Sequence, residues 1–179
     1  MPEREWKTIV AYWLMPAEPA RSFFASVIAE LAARFDAPVF EPHVTIYAGD
    51  QENDNPTQAL NHALAECRPF RLSVRGIQYS DEFTKTVFVQ FESSPALSHL
   101  CRALQQASAG PNEYQLNPHL SLIYKRMTLS AKIDLAASVV LPFTEVLFDS
   151  AKAIISPARV ESRADVEDWR VAAVQRLTE

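Results

Sequence analysis

Residues 42–46 read Pro-His-Val-Thr-Ile, and residues 118–122 read Pro-His-Leu-Ser-Leu. Both stretches follow one pattern: proline, histidine, an aliphatic residue, a hydroxyl residue and a second aliphatic residue. Side chains alternate between the two faces of a β-strand, so the histidine and the hydroxyl residue of each stretch share one face. The aliphatic residue between them points to the opposite face, toward a core. Each stretch therefore predicts a strand that presents one imidazole and one hydroxyl.

Together the two strands present two imidazoles and two hydroxyls, from His43, Thr45, His119 and Ser121. Imidazole titrates near neutral pH, so one histidine can accept a proton while the other donates one. Hydroxyl groups can donate hydrogen bonds to oxygens on which negative charge develops. An in-line displacement at phosphorus needs a base, an acid and donors to the non-bridging oxygens. The set is therefore suited to phosphoryl chemistry if the two strands meet in one cleft.

The order of predicted elements around these strands occurs twice along the chain. Each time a strand is followed by a helix, the histidine strand, a second helix and a strand that begins with Pro-Phe. Lys-Thr-Ile at 7–9 corresponds to Lys-Thr-Val at 85–87, and Pro-Phe at 69–70 corresponds to Pro-Phe at 142–143. The repetition predicts a duplicated unit.

The duplication predicts one bilobal domain over residues 1–179, with pseudo-repeats at roughly 5–80 and 83–156 and a tail at 157–179. Duplicated lobes associate about a pseudo-twofold axis, which places equivalent strands opposite each other. We expect an α+β fold in which two mainly antiparallel sheets face each other across a cleft, with helices on the outside. In the tail, periodicity does not separate a strand from a short helix over residues 169–177.

Local signals mark several helix ends. Asn55 and Ser94 each precede a proline, the pattern of an N-cap followed by proline at the first helical position. Ser130 is the predicted N-cap of a later helix. Residues 20–35 carry apolar side chains at helical spacing, and Gly-Pro-Asn at 110–112 predicts a loop before the second histidine strand.

Composition restricts the classes of partner. The chain has 179 residues, a formal net charge of −5 and no long basic run. A large nucleic acid is disfavoured as the main partner, because its sequence-independent binding needs a basic face, whereas a small phosphate ligand needs only local donors. The only cysteines, Cys67 and Cys101, form no metal-type cluster and predict free thiols. With no apolar run of about 18 residues and no signal-like start, the sequence predicts a soluble cytoplasmic protein.

Alternative interpretations of the histidines remain at this level. His43 and His119 could be unrelated strand residues or a metal pair. No third histidine, cysteine or carboxylate lies at ligand spacing, so we expect neither a metal nor a cofactor. His62 and His99 lie on predicted helices without a hydroxyl residue two positions on, and surface positions are favoured for both.

The paired motifs, 76 residues apart (119 minus 43), resemble those of the two-histidine (2H) phosphoesterase superfamily. Within it, residues 40–45 (Phe-Glu-Pro-His-Val-Thr) and 118–124 (Pro-His-Leu-Ser-Leu-Ile-Tyr) are similar to the small cyclic phosphodiesterases of plant and yeast type. The resemblance implies metal-independent hydrolysis of 2',3'-cyclic nucleotides or ADP-ribose 1'',2''-cyclic phosphate. Ser121 stands where many relatives carry threonine; it keeps the hydroxyl and loses only the methyl group that restricts the rotamer.

The resemblance also implies roles for individual residues. His119 would be the general base and His43 the general acid, while Thr45 and Ser121 would bind the phosphate. Tyr124 could contact the substrate, although packing in the core or at the rim explains it equally well. For Trp13, Tyr47 and Trp169, packing in the core is the favoured interpretation.

The expected partner is a small nucleotide with a cyclic phosphate, bound by a monomer that forms neither a membrane contact nor a stable nucleic-acid complex. Two other functions stay open: an RNA-terminus-processing or 2'-5' RNA ligase-like enzyme, and a non-catalytic binder of nucleotide phosphates.

Overall fold

The structure is a computed structural model that describes residues 7–50, 55–108 and 114–179. The strands are β1 (Thr8–Pro16), β2 (Val44–Asp50), β3 (Phe70–Tyr79), β4 (Val87–Phe91), β5 (His119–Ile123), β6 (Glu145–Pro157) and β7 (Arg170–Arg176). The helices are α1 (Ala20–Phe35), α2 (Pro56–Leu64), α3 (Pro95–Ala107), α4 (Leu129–Ser138) and α5 (Arg163–Glu167), and a 3₁₀ turn spans Phe83–Lys85.

The strands form a seven-stranded antiparallel sheet with the order β1-β2-β5-β4-β3-β6-β7, in which β1 also pairs with β6. The predicted α+β class and antiparallel pairing are confirmed. The strands are hydrogen-bonded into one sheet, however, where the sequence analysis expected two. The join between β2 and β5 is a single pair, Val44 with Leu120, which are the equivalent central residues of the two histidine motifs. The division into two lobes and the bounds of the repeats stay predictions.

The two halves of the chain exchange their third strands. In the first half β1 pairs with β2, and the other edge of β1 pairs with β6 from the second half. In the second half β4 pairs with β5, and the other edge of β4 pairs with β3 from the first half. Each half of the sheet therefore contains two strands from one part of the chain and one strand from the other.

Alternation along β1 shows how the sheet separates the core from the opposite face. Val10, Tyr12 and Leu14 are fully buried in the main core, which also contains residues of the helices. Ala11 and Trp13 point the other way and line a cleft. The histidine strands follow the same rule, because the residues after the two histidines, Val44 and Leu120, belong to the main core.

Two of the three predicted N-caps are confirmed, because the Asn55 and Ser94 side chains each accept a hydrogen bond from a backbone N–H of the following helix. The prediction for α4 is wrong. Thr128 caps that helix, and Ser130 already lies within it. Threonine and serine are both favoured N-cap residues, so two of them two positions apart do not define the helix start from sequence.

Other boundaries shift by a few residues. The sequence predicts a strand over residues 84–91, but β4 begins only at Val87, because the 3₁₀ turn Phe83–Lys85 precedes it. The tail forms the strand β7 after the short helix α5, which resolves the alternative left open by the sequence. The predicted loop at 110–112 lies outside the described residues. Among the described residues, the helices are too short or too polar to cross a bilayer.

Candidate active site

A cleft of about 280 Å³ lies on the sheet face opposite to the main core, which contains residues of α1, α2, α3 and α4. Its volume is near the lower end of the range for small-molecule sites. The five site residues expected from sequence all contribute to its lining: His43, Thr45, His119, Ser121 and Tyr124. The structure thus brings the two histidine motifs, far apart in the chain, into one cleft. Their individual roles stay predictions.

Both histidine rings are oriented in the same way. The Nδ1–H of His43 donates to the carbonyl oxygen of Glu41 at 2.6 Å, and that of His119 donates to the carbonyl oxygen of Asn117 at 2.7 Å. A carbonyl can only accept, so Nδ1 carries the proton and Nε2 of the neutral ring is an acceptor. In each motif the intervening residue is proline, which restricts the preceding residue to extended backbone and so sets the direction of that carbonyl.

His43 lies in an aromatic environment. Its ring stacks on Trp13 with centroids 3.6 Å apart and an interplanar angle of 8°, and it meets the Phe40 ring edge-on with centroids 6.3 Å apart. Only 7% of His43 is exposed. Burial, which disfavours the charged form, lowers the pKa of His43 from 6.5 to about 3, and the hydrogen bond to Glu41 opposes that shift only in part.

A lysine reinforces the low pKa of His43. The Lys152 ammonium contacts both carboxylate oxygens of Glu41, at 2.8 and 2.7 Å. Its positive charge, like that of a protonated His119, makes a minor contribution to lowering the pKa of His43. His43 is therefore neutral in the empty cleft at pH 7.

His119 is less enclosed than His43. It is half-buried, and its ring lies 5.3 Å from that of Phe88 in an edge-on arrangement. Burial also lowers the pKa of His119, the hydrogen bond to Asn117 opposes this, and the positive charge of Lys85 adds to the lowering. Both imidazoles are thus neutral near pH 7, but His43 is more deeply buried than His119.

The two hydroxyl residues are not equivalent in the structure. Thr45 is half-buried on the wall of the cleft. Ser121 is buried, and its hydroxyl donates to the carbonyl oxygen of Thr84 at 2.6 Å. A hydroxyl has one hydrogen to donate. In this arrangement the Ser121 hydrogen is therefore directed to the protein.

Tyr124 combines packing with a position at the cleft. It is 3% exposed and its ring stacks on Phe40 with centroids 3.8 Å apart. Burial raises the pKa of the Tyr124 phenol, and an interaction with the Ser121 side chain opposes that shift. The phenol is therefore neutral and can act only as a hydrogen-bonding group near pH 7.

Among the other residues that line the cleft, Trp13, Lys85 and Trp169 were not identified as site residues from sequence. Trp13 and Trp169 contact each other edge-on at 5.0 Å, and the indole N–H of Trp169 is buried without a hydrogen-bond partner among the described residues. Tryptophan side chains are largely buried on average, so nothing in the spacing of these two distinguished them from core residues. The sequence could have pointed to Lys85, because it belongs to the Lys-Thr motif that is repeated in the two halves of the chain.

The remaining histidines and cysteines lie away from this cleft. His62 and His99 are exposed on α2 and α3, as predicted. Cys101 is buried, Cys67 is half-buried, and neither forms a disulfide. Within residues 7–50, 55–108 and 114–179, histidine, cysteine and carboxylate side chains form no group of three or more that could hold a metal ion.

Sequence comparison gives a family match over most of the chain. Residues 19–150 match the model of the family described as the 2'-5' RNA ligase superfamily. No curated protein matches the chain.

The fold is similar to that of several solved proteins. The crystal structure of E. coli LigT complexed with 3'-AMP has a TM-score of 0.60 at 14% identity, covering 97% of this chain and 99% of LigT. The LigT complex with NADP+ gives a TM-score of 0.55 at 15% identity, covering 97% and 99% of the two chains. A crystal structure described as a phosphoesterase gives 0.58 at 15% identity, covering 96% and 99%. At these identities the similarity establishes a shared fold.

Proposed function

Because the chain belongs to the 2'-5' RNA ligase superfamily of two-histidine phosphoesterases, we propose that it hydrolyses small cyclic phosphodiesters without a metal. The substrate would be a 2',3'-cyclic nucleotide or ADP-ribose 1'',2''-cyclic phosphate. The observation that carries the proposal is the pair of neutral imidazoles in one cleft, each with Nδ1–H bound to a carbonyl and Nε2 left to act on a substrate.

An in-line displacement needs one proton to be taken from the attacking oxygen and another to be given to the leaving oxygen. His119 would take a proton from the attacking water, whose oxygen then bonds to phosphorus. The bond from phosphorus to one ribose oxygen breaks, and His43 would protonate that leaving oxygen. Thr45 donates to a non-bridging oxygen, where negative charge grows in the transition state.

The low pKa of His43 places a condition on its role as the acid. In the empty cleft its protonated form is costly, because the ring is buried. A phosphodiester carries a negative charge, and a nearby opposite charge favours the protonated form of a histidine. The substrate itself would therefore raise the pKa of the histidine that must donate the proton.

The neighbours of similar fold support a nucleotide substrate. LigT has been crystallised with 3'-AMP and with phosphate. The cleft of about 280 Å³ is suited to the phosphate and sugar of a nucleotide, and its aromatic residues are suited to packing against a ring.

The family description favours a second candidate, an enzyme that processes or joins RNA termini. The net charge of −5 counts against a long nucleic acid as substrate. Both candidates share the same two histidines, so they differ in the substrate bound and not in the acid–base pair.

The test is incubation of the purified protein with each cyclic phosphate and with an RNA that ends in a 2',3'-cyclic phosphate, followed by identification of the opened bond. We expect a nucleoside monophosphate from a 2',3'-cyclic nucleotide, and ADP-ribose carrying a phosphomonoester from ADP-ribose 1'',2''-cyclic phosphate. Preferential turnover of the RNA terminus would select the second candidate. Binding of the small substrates without turnover would instead make the protein a nucleotide-phosphate binder.

Replacing His43 or His119 with alanine should lower turnover by about 10²–10⁴-fold, the range for a positioned acid or base. The double variant should be barely worse than either single variant, because the pair acts as a unit. His99→Ala, on the exposed face of α3, is the matched control and should leave the rate unchanged. Full activity in either single variant of the cleft would contradict the assignment.

A leaving-group analogue tests which histidine is the acid. A good leaving group no longer needs protonation, so it should rescue His43→Ala far more than His119→Ala. Preferential rescue of His119→Ala would reverse the two roles.

A further inference from the structure

The loop from β3 to β4 forms one wall of the cleft and is held firmly. Its residues Glu82, Thr84 and Lys85 line the cleft. The loop is anchored from α4 by the buried Lys132, whose ammonium donates to the carbonyl oxygen of Ser80 at 3.0 Å. Side chains on this wall are therefore presented from a fixed backbone.

Lys85 brings a positive charge to the side of the cleft where His119 lies. Its ammonium is 5.7 Å from the centroid of the Phe88 ring, and the same ring contacts His119 edge-on. The Lys85 side chain is only 18% exposed. A lysine packed in this way has less freedom to swing into solvent than one on an open surface.

On the His119 side of the cleft, the substrate phosphate needs a hydrogen-bond donor other than Ser121. The hydroxyl of Ser121, predicted to bind phosphate, donates to the Thr84 carbonyl instead. An ammonium has three hydrogens to donate, and a phosphoryl group with growing negative charge needs donors on more than one oxygen. Lys85 can donate hydrogen bonds to a phosphoryl oxygen on the His119 side, as Thr45 is proposed to do on the His43 side.

The present partner of Lys85 can be displaced. The ammonium is 3.2 Å from a carboxylate oxygen of Glu82, whose side chain is 68% exposed. Ion pairs with a well-solvated member are weak. An anionic phosphate that enters the cleft can therefore replace Glu82 as the partner of Lys85.

The lysine at the corresponding position of the first half has another environment. Lys7 forms an ion pair with Asp50 at 2.8 Å, and both side chains are more than half exposed. Lys7 does not belong to the lining of the cleft. The two lysines thus share a sequence motif but differ in access to the histidines.

We propose that Lys85 binds the phosphoryl group of the substrate beside His119, and that the phosphate displaces Glu82 from its ammonium. The inference rests on the proposed function for the identity of the substrate. The placement of a phosphate against Lys85 can be tested separately.

The experiment compares Lys85→Met, Lys85→Arg, Glu82→Gln and the matched control Lys7→Met. Binding of inorganic phosphate is measured by calorimetry, and kcat and KM are measured with a 2',3'-cyclic nucleotide. Lys85→Met should weaken phosphate binding by about tenfold and lower kcat/KM by about 10²-fold, the usual effect of losing one donor to a developing oxyanion. Lys85→Arg, which keeps the charge, should recover most of both.

Glu82→Gln should change the phosphate affinity in the direction opposite to Lys85→Met. Removing the competing carboxylate should tighten phosphate binding by a few fold, which loss of a merely structural contact would not do. Lys7→Met should behave as the unchanged protein in both assays. Phosphate binding that is undetectable, or that is unaffected by Lys85→Met, would overturn the proposal, as would an equal loss in Lys7→Met.

The two proposals fail in different ways. If the unchanged protein hydrolyses no cyclic phosphate but its phosphate binding depends on Lys85, the proposed function fails and the Lys85 site stands. If the protein is active and Lys85→Met retains full activity and full phosphate affinity, the Lys85 site fails and the proposed function stands.

Discussion

At the scale of single residues, the burial of the two imidazoles sets their protonation state in the cleft. Desolvation is the largest cause of the low pKa of both His43 and His119. A buried histidine loses its proton more readily, because the interior disfavours the charged ring. The resulting pH dependence has a definite sign.

We predict that kcat/KM is greatest below pH 6.5. The reaction needs one protonated and one neutral histidine, and kcat/KM reports the free enzyme. The pKa of His43 is about 3 and that of His119 lies below its ordinary value of 6.5, so both rings of the free enzyme are neutral once the pH exceeds the pKa of His119. The proton for the leaving oxygen is then missing, and kcat/KM falls.

Parallel pH profiles of kcat and kcat/KM check this prediction. The bound phosphodiester favours protonated histidine, so the optimum of kcat should lie at a higher pH than that of kcat/KM. A kcat/KM that keeps rising above pH 7 would contradict it.

The sequence predicted the chemical types in the cleft better than their hydrogen bonds. Two-residue alternation was enough to place His43 and Thr45 on one face, and the same holds for His119 and Ser121. It could not show that the hydrogen of Ser121 is directed to the Thr84 carbonyl, because Thr84 is 37 residues away in the chain. Tertiary contacts of this kind have no local signal.

At the scale of secondary-structure elements, helix starts depend on single side chains. The Thr128 hydroxyl accepts a hydrogen bond from the Ala131 N–H at 3.3 Å, whereas Ser130 is exposed within α4. We predict that Thr128→Ala lowers the free energy of unfolding by about 1 kcal/mol, the usual value of an N-cap. Ser130→Ala is the matched control and should change it by less than about 0.5 kcal/mol.

Urea denaturation of the two variants measures the difference. Equal losses in both would show that the helix begins at a different residue in solution. The pair also illustrates the limit of sequence reasoning at this scale: the composition around a helix start was sufficient to predict α4, but not to choose between two hydroxyl residues.

At the scale of the whole molecule, the α+β class followed from the order of elements, but the strand partners did not. Periodicity tells which residues form a strand and which face is buried. It says nothing about whether β1 pairs with β3 of its own half or with β6 of the other. The single sheet and the exchange of third strands therefore emerged only from the structure.

We predict that EDTA leaves the rate of hydrolysis unchanged. The groups proposed to act on the substrate are two imidazoles, one hydroxyl and one ammonium, and the described residues offer no metal-binding group of three or more ligands. The measurement is the rate before and after chelation, with each divalent ion added back in turn. Activity that disappears with EDTA and returns with one ion would require a Lewis-acid mechanism.

The exchange of third strands has a consequence for synthesis on the ribosome. When residues 1–80 have emerged, β1 and β2 can pair, but the outer edge of β1 must wait for β6, which ends at Pro157. At about 5–20 residues per second, that edge stays unpaired for roughly 4–15 seconds. An unpaired strand edge can pair with another chain. The nascent protein therefore has an interval in which it depends on chaperones or on low local concentration to avoid aggregation.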